Sequence, residues 1–468
     1  MKKTFQYMGL VGIAIFLQSC FAAKEYTREQ TVVNEANYHT DLIPTDSLSM
    51  ASLSWKEIFK DSYLNQHIDK ALTNNLDIRM AMKNMDAAQA YVKQGKAAYF
   101  PTINGNASYT HSTQSLNTQF GQFGGGERQY INQYELSGSL SWEADIWGKL
   151  RSNDRAFTAS YMQSVSAHQA VKSNLVAQVA STYYQLLALD EQKRIAEETI
   201  ANREESVETI KLLKDAGNVT EVAVKQTEAQ LLNNKALLLD IENNIKLLEN
   251  SLSILMGENP RNIERSTLKE QVISAELKTG VPVQLLTNRP DIMAAEYALI
   301  NAFELTNVAR SNFYPSLRLS ANGGIQSIDF EDLFSANSLF ASIVGSLTQP
   351  ILNGRQIRTQ YEVRQTQQEH ALLNYKKAIL NASKEVSDAL YTYQTNEEKV
   401  VLKQEEFEAY NQAIQYSEEL QIYGMANYLE VLTARQNALN AQLAMINTEF
   451  GKLNALVQLY RALGGGWR

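Results

Sequence analysis

Two stretches of the chain, each with a single glycine near its centre, decide the fold. They are SVETIKLLKDAGNVTEVAVKQ at residues 206–226, which contains Gly217, and AIQYSEELQIYGMANYLEVLT at residues 413–433, which contains Gly424. The residues around each glycine include many good helix formers, such as Ala, Leu, Glu, Gln and Lys. Glycine interrupts helices and allows the chain to reverse its direction. Each stretch therefore predicts the tip of a helical hairpin.

The arms of these hairpins are predicted to be very long. Apart from Gly217 and Gly424, neither glycine nor proline occurs between Gly148 and Gly257 or between Gly354 and Gly451. The first arms contain 68 and 69 residues (149–216 and 355–423). A continuous helix of that length would reach roughly 100 Å and would need packed neighbours to be stable. An ordinary helical bundle or coiled coil is the simpler alternative to a broad helical assembly.

The two halves of the chain follow one plan, which indicates an internal duplication. Asn75-Leu76-Asp77-Ile78 resembles Arg289-Pro290-Asp291-Ile292, and a proline follows each aspartate 24 residues later, at Pro101 and Pro315. Because Asp77 and Asp291 match across the repeat, we expect them to share a structural role at a helix start rather than to act in catalysis.

The segments that precede the long hairpins alternate between apolar and polar residues. The apolar positions in three of them are Ile103, Ala107 and Tyr109, then Tyr134, Leu136, Leu140 and Trp142, then Leu317, Leu319, Ala321 and Ile325. The fourth segment, 339–349, is less regular, since Phe340 and Val344 fall on its polar side. Such alternation is typical of membrane β-barrel strands. It is equally typical of a soluble antiparallel sheet with one wet face.

The N-terminus resembles a bacterial export signal. Lys2 and Lys3 precede an apolar run from Met8 to Leu17, and Leu17-Gln18-Ser19-Cys20 resembles a lipobox. Cys20 is the only cysteine of the chain, so an internal disulfide is excluded. We expect Cys20 to carry a covalent lipid and to begin the mature protein. A plain signal peptide with an incidental cysteine is the alternative.

Charge and hydropathy restrict the possible functions. The formal net charge is −8, and there is no block of basic residues, so nucleic-acid binding is disfavoured. No apolar stretch of about 18 residues follows Cys20, so a membrane crossing would have to use β-strands. Four strands cannot close a barrel, because about eight is the practical minimum. If the strands span a membrane, several chains must share one barrel.

Several motifs together resemble the TolC-like outer-membrane efflux proteins, in the lipid-anchored branch that serves resistance–nodulation–division pumps. They are Ser54-Trp55-Lys56-Glu57-Ile58, Asn288-Arg289-Pro290-Asp291-Ile292, Ser311-Asn312-Phe313-Tyr314-Pro315, Gln349-Pro350-Ile351-Leu352-Asn353-Gly354, Tyr428-Leu429-Glu430-Val431-Leu432 and the ending Ala462-Leu463-Gly464-Gly465-Gly466-Trp467. The resemblance implies an α+β membrane protein that forms a homotrimer. Each chain would give four antiparallel strands to a β-barrel, and the helical hairpins would continue it as an α-helical barrel.

The resemblance also implies a function, a location and partners. The chain would be a passive, gated conduit in the outer membrane of a Gram-negative bacterium, extending into the periplasm. A periplasmic adaptor protein and an inner-membrane pump would be its partners. The rival reading is a non-channel lipoprotein that acts as a helical scaffold.

Two sets of site residues follow from the same resemblance. The hairpin tips of the family contact the adaptor, and the matching residues are Gly217, Asn218, Val219, Gly424, Met425 and Ala426. Acidic residues just past the second tip ring the closed pore of the family, and Glu430 occupies one such position. Thr433 occupies another that is acidic in some members, so the charge ring here is expected to be weaker. A solvated surface carboxylate is the alternative for Glu430, and a plain helix reversal is the alternative for the tips.

An enzyme is not expected. The five histidines, His39, His67, His111, His168 and His370, are scattered and form no metal-binding helical pair. The sequence predicts no catalytic residue, no metal site and no cofactor beyond the lipid on Cys20.

The predicted organisation follows the repeats. It comprises a signal peptide (1–19), an anchored segment with part of an equatorial region (20–60), a first repeat (61–257), a linker (258–280), a second repeat (281–463) and a tail (464–468). Within the repeats, β-hairpins are predicted at 101–142 and 315–350, and helical hairpins at 149–257 and 355–463.

Overall fold

The structure is a computed structural model that describes residues 23–28, 49–113, 115–118, 128, 130–271 and 284–468. Cys20 and the predicted signal peptide lie outside the described residues. So do much of the loop 111–132 and the last part of the predicted linker, 272–280.

The two halves of the chain share a series of one helix, two strands and two long helices, and they differ in the short helices that precede it. The first has short helices α1 (Trp55–Ile58) and α2 (Ser62–Asn74), helix α3 (Leu76–Ala97), strands β1 (Thr102–Thr113) and β2 (Tyr130–Glu143), and the long helices α4 (Lys149–Asp215) and α5 (Glu221–Leu255). The second has α6 (Leu285–Asn288), α7 (Pro290–Ser311), β3 (Ser316–Ser327), β4 (Leu339–Thr348), α8 (Gln356–Ile422) and α9 (Tyr428–Ala462). Single 3₁₀ turns lie at Met50–Ser52, Leu268–Glu270 and Ala336–Ser338.

The matched helices have equal lengths, which confirms the predicted duplication of the fold. Helices α3 and α7 contain 22 residues each, α4 and α8 contain 67 each, and α5 and α9 contain 35 each. The predicted fold class, very long helical hairpins with four antiparallel strands, is therefore correct. Within the described ranges, no helix is both long enough and apolar enough to cross a membrane.

The chain divides into two compact units, and each unit takes segments from both repeats. The first comprises residues 1–28, 86–163 and 296–373, and the second comprises 29–85, 164–295 and 374–468. The sheet lies entirely in the first unit, and the hairpin tips lie in the second.

The sheet has the strand order β1-β2-β3-β4, and every neighbouring pair is antiparallel. Its register aligns the apolar residues of all four strands, for example Ala107 with Leu136, Leu136 with Ile325, and Ile325 with Leu339. Directly paired residues point to the same face of a sheet. One face therefore collects the apolar side chains, and many of them are exposed, including Ile103, Leu136, Leu319, Ile343 and Leu347.

Strand β4 obeys the same alternation despite its irregular sequence. Leu339, Ile343 and Leu347 share the apolar face, and Phe340 and Val344 lie on the opposite face, paired with Gly324 and Ser320. Both β1 and β4 are edge strands of the sheet.

In the second unit, both helical hairpins close at the base in the same way. The Asn75 side-chain amide donates to the carbonyl of Leu255, the last residue of α5, at 3.0 Å. The Arg289 guanidinium donates to the carbonyl of Ala462, the last residue of α9, also at 3.0 Å. These bonds satisfy carbonyls that a helix end leaves without a partner. Arg289 and Asn75 are the first residues of the two matching motifs, so the motif serves to close each hairpin.

The motif aspartates have the structural role that the repeat predicted. Asp77 and Asp291 both lie in the first turn of a helix, α3 and α7 respectively. Asp291 also binds the Arg289 guanidinium through both carboxylate oxygens, at 3.0 and 2.6 Å, and Glu385 accepts a further bond from Arg289 at 2.9 Å. Arg289 is only 4% exposed, and its carboxylate partners offset the cost of burying its charge.

Candidate functional site

The two hairpin tips are built by one backbone motif. At the end of α4, the Gly217 N–H donates to the Lys214 carbonyl and the Asn218 N–H donates to the Leu213 carbonyl, both at 2.9 Å. At the end of α8, the Gly424 and Met425 N–H groups bond Gln421 and Leu420 in the same pattern. This is the Schellman arrangement, which needs a left-handed residue after the helix. Gly217 has φ +77° and Gly424 has φ +70°.

The six predicted docking residues all lie in these two reversals, and their surroundings differ in chemistry. The first tip is charged, with Lys214 pairing with Asp215 at 3.7 Å and with Glu221 at 3.3 Å. The second tip is apolar, since Ile422, Tyr423 and Met425 are 82%, 70% and 77% exposed. A partner that contacts both tips would therefore meet one charged surface and one apolar surface.

Glu430 lies in the first turn of α9, directly after the second tip. Asn427 caps this helix, because its side-chain oxygen accepts from the Glu430 backbone N–H at 3.1 Å. In return, the Asn427 side-chain amide donates to the Glu430 carboxylate at 3.2 Å. This reciprocal pair resembles a capping box. The Glu430 side chain therefore stabilises the helix start while it remains exposed to solvent.

Thr433 is also exposed, one turn further along α9. Its hydroxyl donates to the Leu429 carbonyl at 2.8 Å, within its own helix. It therefore adds no charge to this surface.

The first tip lacks an equivalent of Glu430. Helices α5 and α9 begin at Glu221 and Tyr428, and Glu430 aligns by this offset with Ala223. The carboxylate at the second tip is therefore not a consequence of the duplication. A structural need common to both hairpins does not explain it.

Behind the tips, two arginines join the first helical hairpin to the second. Arg435 of α9 binds Glu418 of α8 at 3.0 Å through Nε, and donates to the Ser206 hydroxyl of α4 at 2.8 Å. Arg203 of α4, only 3% exposed, donates to the side-chain oxygens of Gln230 and Gln436. Burial lowers the pKa of Arg203 from its ordinary value.

Both arginines line a cavity of about 570 Å³ within the second unit. No pattern in the sequence predicted this cluster, because its contacts between the two helical hairpins join residues that are distant along the chain. Arg435 and Ser206, for instance, are 229 residues apart.

The first unit holds the other candidate functional surface, the polar face of the sheet. Asn104, Asn106 and Ser108 of β1 share this face with their direct partners Ser139, Ser137 and Glu135 of β2. Apart from Glu135, these side chains are uncharged amides and hydroxyls, which bind water without a strong preference for the charge of a solute. The opposite, apolar face is left exposed by the single chain.

Among the described residues, no group of three or more His, Cys, Asp or Glu side chains is arranged to hold a metal ion.

Comparison with known proteins shows which family the chain resembles. The family model described as "Outer membrane efflux protein" matches residues 67–258 and 281–465, one segment in each repeat. A solvent efflux pump outer membrane protein of Pseudomonas putida, SrpC, is 29% identical over 90% of this chain and 89% of its own length. The cation efflux system protein CusC of Escherichia coli is 26% identical over 97% of this chain and 98% of its own.

A solved structure agrees with these relatives. The Campylobacter jejuni CmeC outer membrane channel is 26% identical, with a TM-score of 0.85 over 96% of this chain and 95% of that one.

Proposed function

Because the chain belongs to the outer membrane efflux protein family, we propose that it is the outer-membrane channel subunit of a tripartite efflux system. It acts as a passive, gated conduit that carries small molecules from the periplasm and its pump to the exterior. The energy for transport comes from the pump, since the channel subunit has no catalytic role in this proposal.

One observation carries the proposal: the sheet has an exposed apolar face, a polar face and two open edges. In lipid, unpaired backbone groups at a sheet edge cost several kcal/mol each, so membrane sheets close on themselves. Four strands are too few to close, whereas three copies give twelve. The apolar face then contacts lipid, and the polar face lines a water-filled channel.

The hairpin tips are the proposed contact with a periplasmic adaptor. The exposed apolar side chains of the second tip, Tyr423 and Met425 among them, are costly to leave in water and therefore suit a protein partner. The charged first tip adds ion pairs that fix orientation more than affinity.

Glu430 is the proposed gate residue. Three copies around a threefold axis place three carboxylates near the end of the conduit, where they attract cations and repel one another. The absence of a matching carboxylate at Ala223 supports a role specific to the second tip. Thr433, being uncharged, leaves Glu430 to supply the ring alone.

The lipid anchor at Cys20 is proposed on the sequence alone. It would fix the chain to the outer membrane in addition to the barrel. The scaffold alternative, a monomeric lipoprotein with a soluble sheet, is not favoured by the efflux relatives.

The cargo is proposed to be selected by the pump. SrpC is named for solvents and CusC for cations, so relatives of similar identity serve different chemistries. The uncharged polar side chains on β1 suit a conduit of broad specificity.

Electrical recording tests the channel directly. Protein purified in detergent and added to a planar bilayer should give discrete, stepwise conductance increases. A preparation that is folded by its helical circular dichroism but never conducts, in the wild type or in Glu430→Ala, would contradict the proposal.

A further inference from the structure

The two most exposed large apolar side chains of the described residues follow the last strand of the sheet. Ile351 is 91% exposed and Leu352 is 95% exposed, and β4 ends just before them at Thr348. At the start of β1, Phe100 is 73% exposed. The antiparallel order places the end of β4 and the start of β1 at the same end of the sheet. These apolar groups therefore lie at the same level on its two open edges.

The pairing between copies follows from strand lengths. Strand β4 has 10 residues and β1 has 12. If all of β4 pairs with β1 of the next copy, Thr348 lies opposite Thr102, Ile103 or Asn104. Directly paired residues share a face, and Ile103 lies on the apolar face whereas Thr348 lies on the polar one. Thr348 can therefore lie opposite only Thr102 or Asn104 of the next copy.

Both registers agree with the geometry of a closed barrel. Across one chain, direct pairing connects Thr102 to Ser141, Ser141 to Ser320, and Ser320 to Val344. In the two registers, Val344 then lies opposite Asn106 or Ser108 of the next copy. Crossing four strands therefore displaces the position from Thr102 to Asn106 or Ser108 along β1. With a rise of about 3.3 Å per residue and a strand spacing of about 4.8 Å, these displacements give strand tilts of about 35° and 46°. Closed barrels have tilts of about 35–45°.

The same registers decide what covers the exposed pair. They place the chain that follows β4, including Ile351 and Leu352, beside the turn at 98–100 that precedes β1 in the next copy. The receiving segment is held in place, because the Trp142 indole N–H donates to the Tyr99 carbonyl at 2.9 Å.

We propose that Ile351 and Leu352 of one copy pack on the Tyr99–Pro101 segment of the next copy, forming an apolar seam clasp at each of three subunit boundaries. The seam clasp rests on the proposed trimeric channel, and it assigns a residue-level contact to each seam. Its role is to seal the junction where the β-strands end and pairing between backbones stops.

Engineered disulfides test the clasp, since Cys20 is the only native cysteine. The pair Leu352→Cys with Phe100→Cys tests the register in which Thr348 lies opposite Asn104, and Ile351→Cys with Tyr99→Cys tests the register in which it lies opposite Thr102. A disulfide requires the two Cα atoms to come within about 4.4–6.8 Å of each other. We expect one of the two pairs to give a covalent trimer on a non-reducing denaturing gel. The control, Leu352→Cys with Tyr109→Cys, should give none, because Tyr109 lies about 23 Å beyond Thr102, where β1 begins.

The particle mass of the same samples, measured in detergent before denaturation, separates the possible failures. A trimeric mass without a covalent trimer from either pair overturns the seam clasp and leaves the channel intact. A monomeric mass overturns both proposals.

A second experiment tests whether Ile351 and Leu352 contact a neighbouring copy rather than lipid. Replacing Ile351 and Leu352 by Ser should lower the temperature at which the trimer dissociates in detergent by several degrees. Ile328→Ser, at a residue that is 65% exposed and away from the seam, should change it little. Equal shifts for the two variants would overturn the clasp.

Discussion

At the scale of single residues, Gly257 and Gly464 show why the helical hairpins end in glycine. Both have positive φ, +70° and +94°. A Cβ on Gly257 would lie 2.6 Å from the Asn74 carbonyl oxygen, and a Cβ on Gly464 would overlap the Asn288 carbonyl in the same way. The two repeats therefore require glycine here for two reasons, backbone conformation and space.

We predict that Gly464→Ala destabilises the protein by about 2–5 kcal/mol. About 1–2 kcal/mol comes from the left-handed backbone, and about 1–3 kcal/mol comes from overpacking against Asn288. Gly217→Ala is the matched control, since its φ is also positive but nothing lies within 4 Å of the added Cβ. Thermal unfolding followed by circular dichroism should show a clearly larger loss for Gly464→Ala. Equal losses would mean that the contact with Asn288 is unimportant.

His67 predicts a dependence of stability on pH. Its Nε2–H donates to the Glu264 carbonyl at 2.8 Å, and the residue is only 4% exposed. Burial lowers the pKa of His67 below its ordinary value of 6.5, and the nearby charges of Lys70 and Arg261 lower it further. The hydrogen bond to the Glu264 carbonyl and the charge of Asp61 act in the opposite direction, but they do not reverse the lowering of the pKa.

Proton linkage gives the direction in which stability changes with pH. As the pH falls below about 6.5, the unfolded chain protonates His67 more readily than the folded chain does, so stability falls, by at most about 1.4 kcal/mol per pH unit. His67→Gln should therefore flatten the decrease in melting temperature between pH 7.5 and pH 5.5. His370→Gln, at an exposed histidine, is the control. An unchanged slope in His67→Gln would refute the assignment.

Residue identities alone could predict the helix-start role of Asp77 and Asp291, because the motif occurs twice. They could not predict the partners of Arg289. Glu385 and Ala462 lie 96 and 173 residues away along the chain, and only the folded packing of the helices brings them together.

At the scale of elements, the lengths of the two longest helices could be predicted from the glycine positions. The predicted arms 149–216 and 355–423 became helices Lys149–Asp215 and Gln356–Ile422, and each is followed by a glycine that reverses the chain. The end of α9 could not be predicted in this way, since the helix continues through Gly451 to Ala462. The face of β4 was harder to predict, since Phe340 and Val344 obscure the alternation. Pairing with β3 decides it, and that register is a tertiary property.

Substitutions of Glu430, in the first turn of α9, test the proposed gate. Glu430→Ala should increase ion leakage through the closed conduit, because in the proposed trimer it removes the three negative charges of the gate. The same change also removes the bond from Asn427, so Glu430→Gln separates the two roles: it keeps an acceptor for Asn427 but not the charge. Both variants should raise the resting single-channel conductance.

The first tip provides the matched control. Glu221 is likewise an exposed carboxylate in the first turn of its helix, and Glu221→Ala should leave the resting conductance unchanged. A resting conductance that is the same in the wild type and both Glu430 variants would contradict the gate proposal.

The arginine cluster behind the tips marks the limit of sequence reasoning about the candidate site. The tips are local, so their glycines can be found in the sequence. Arg203 and Arg435 reach across from one helical hairpin to the other, to Gln436 and Ser206. No spacing along one helix reports such a contact.

At the scale of the whole molecule, two features of the sheet are unfavourable in a single chain. The sheet has unpaired edges at β1 and β4, and its apolar face is exposed. A membrane can cover the apolar face, but only neighbouring copies can pair the edges. The sequence could predict this requirement from the number of strands, but it could not reveal the register between copies.

The number of copies in one particle tests the account most directly. Native mass spectrometry of the full-length protein, extracted from outer membranes in detergent and released from its micelle, should give a mass of three chains with their lipids. A particle of one chain that stays soluble after the detergent is removed would contradict the shared barrel wall, and with it the conduit.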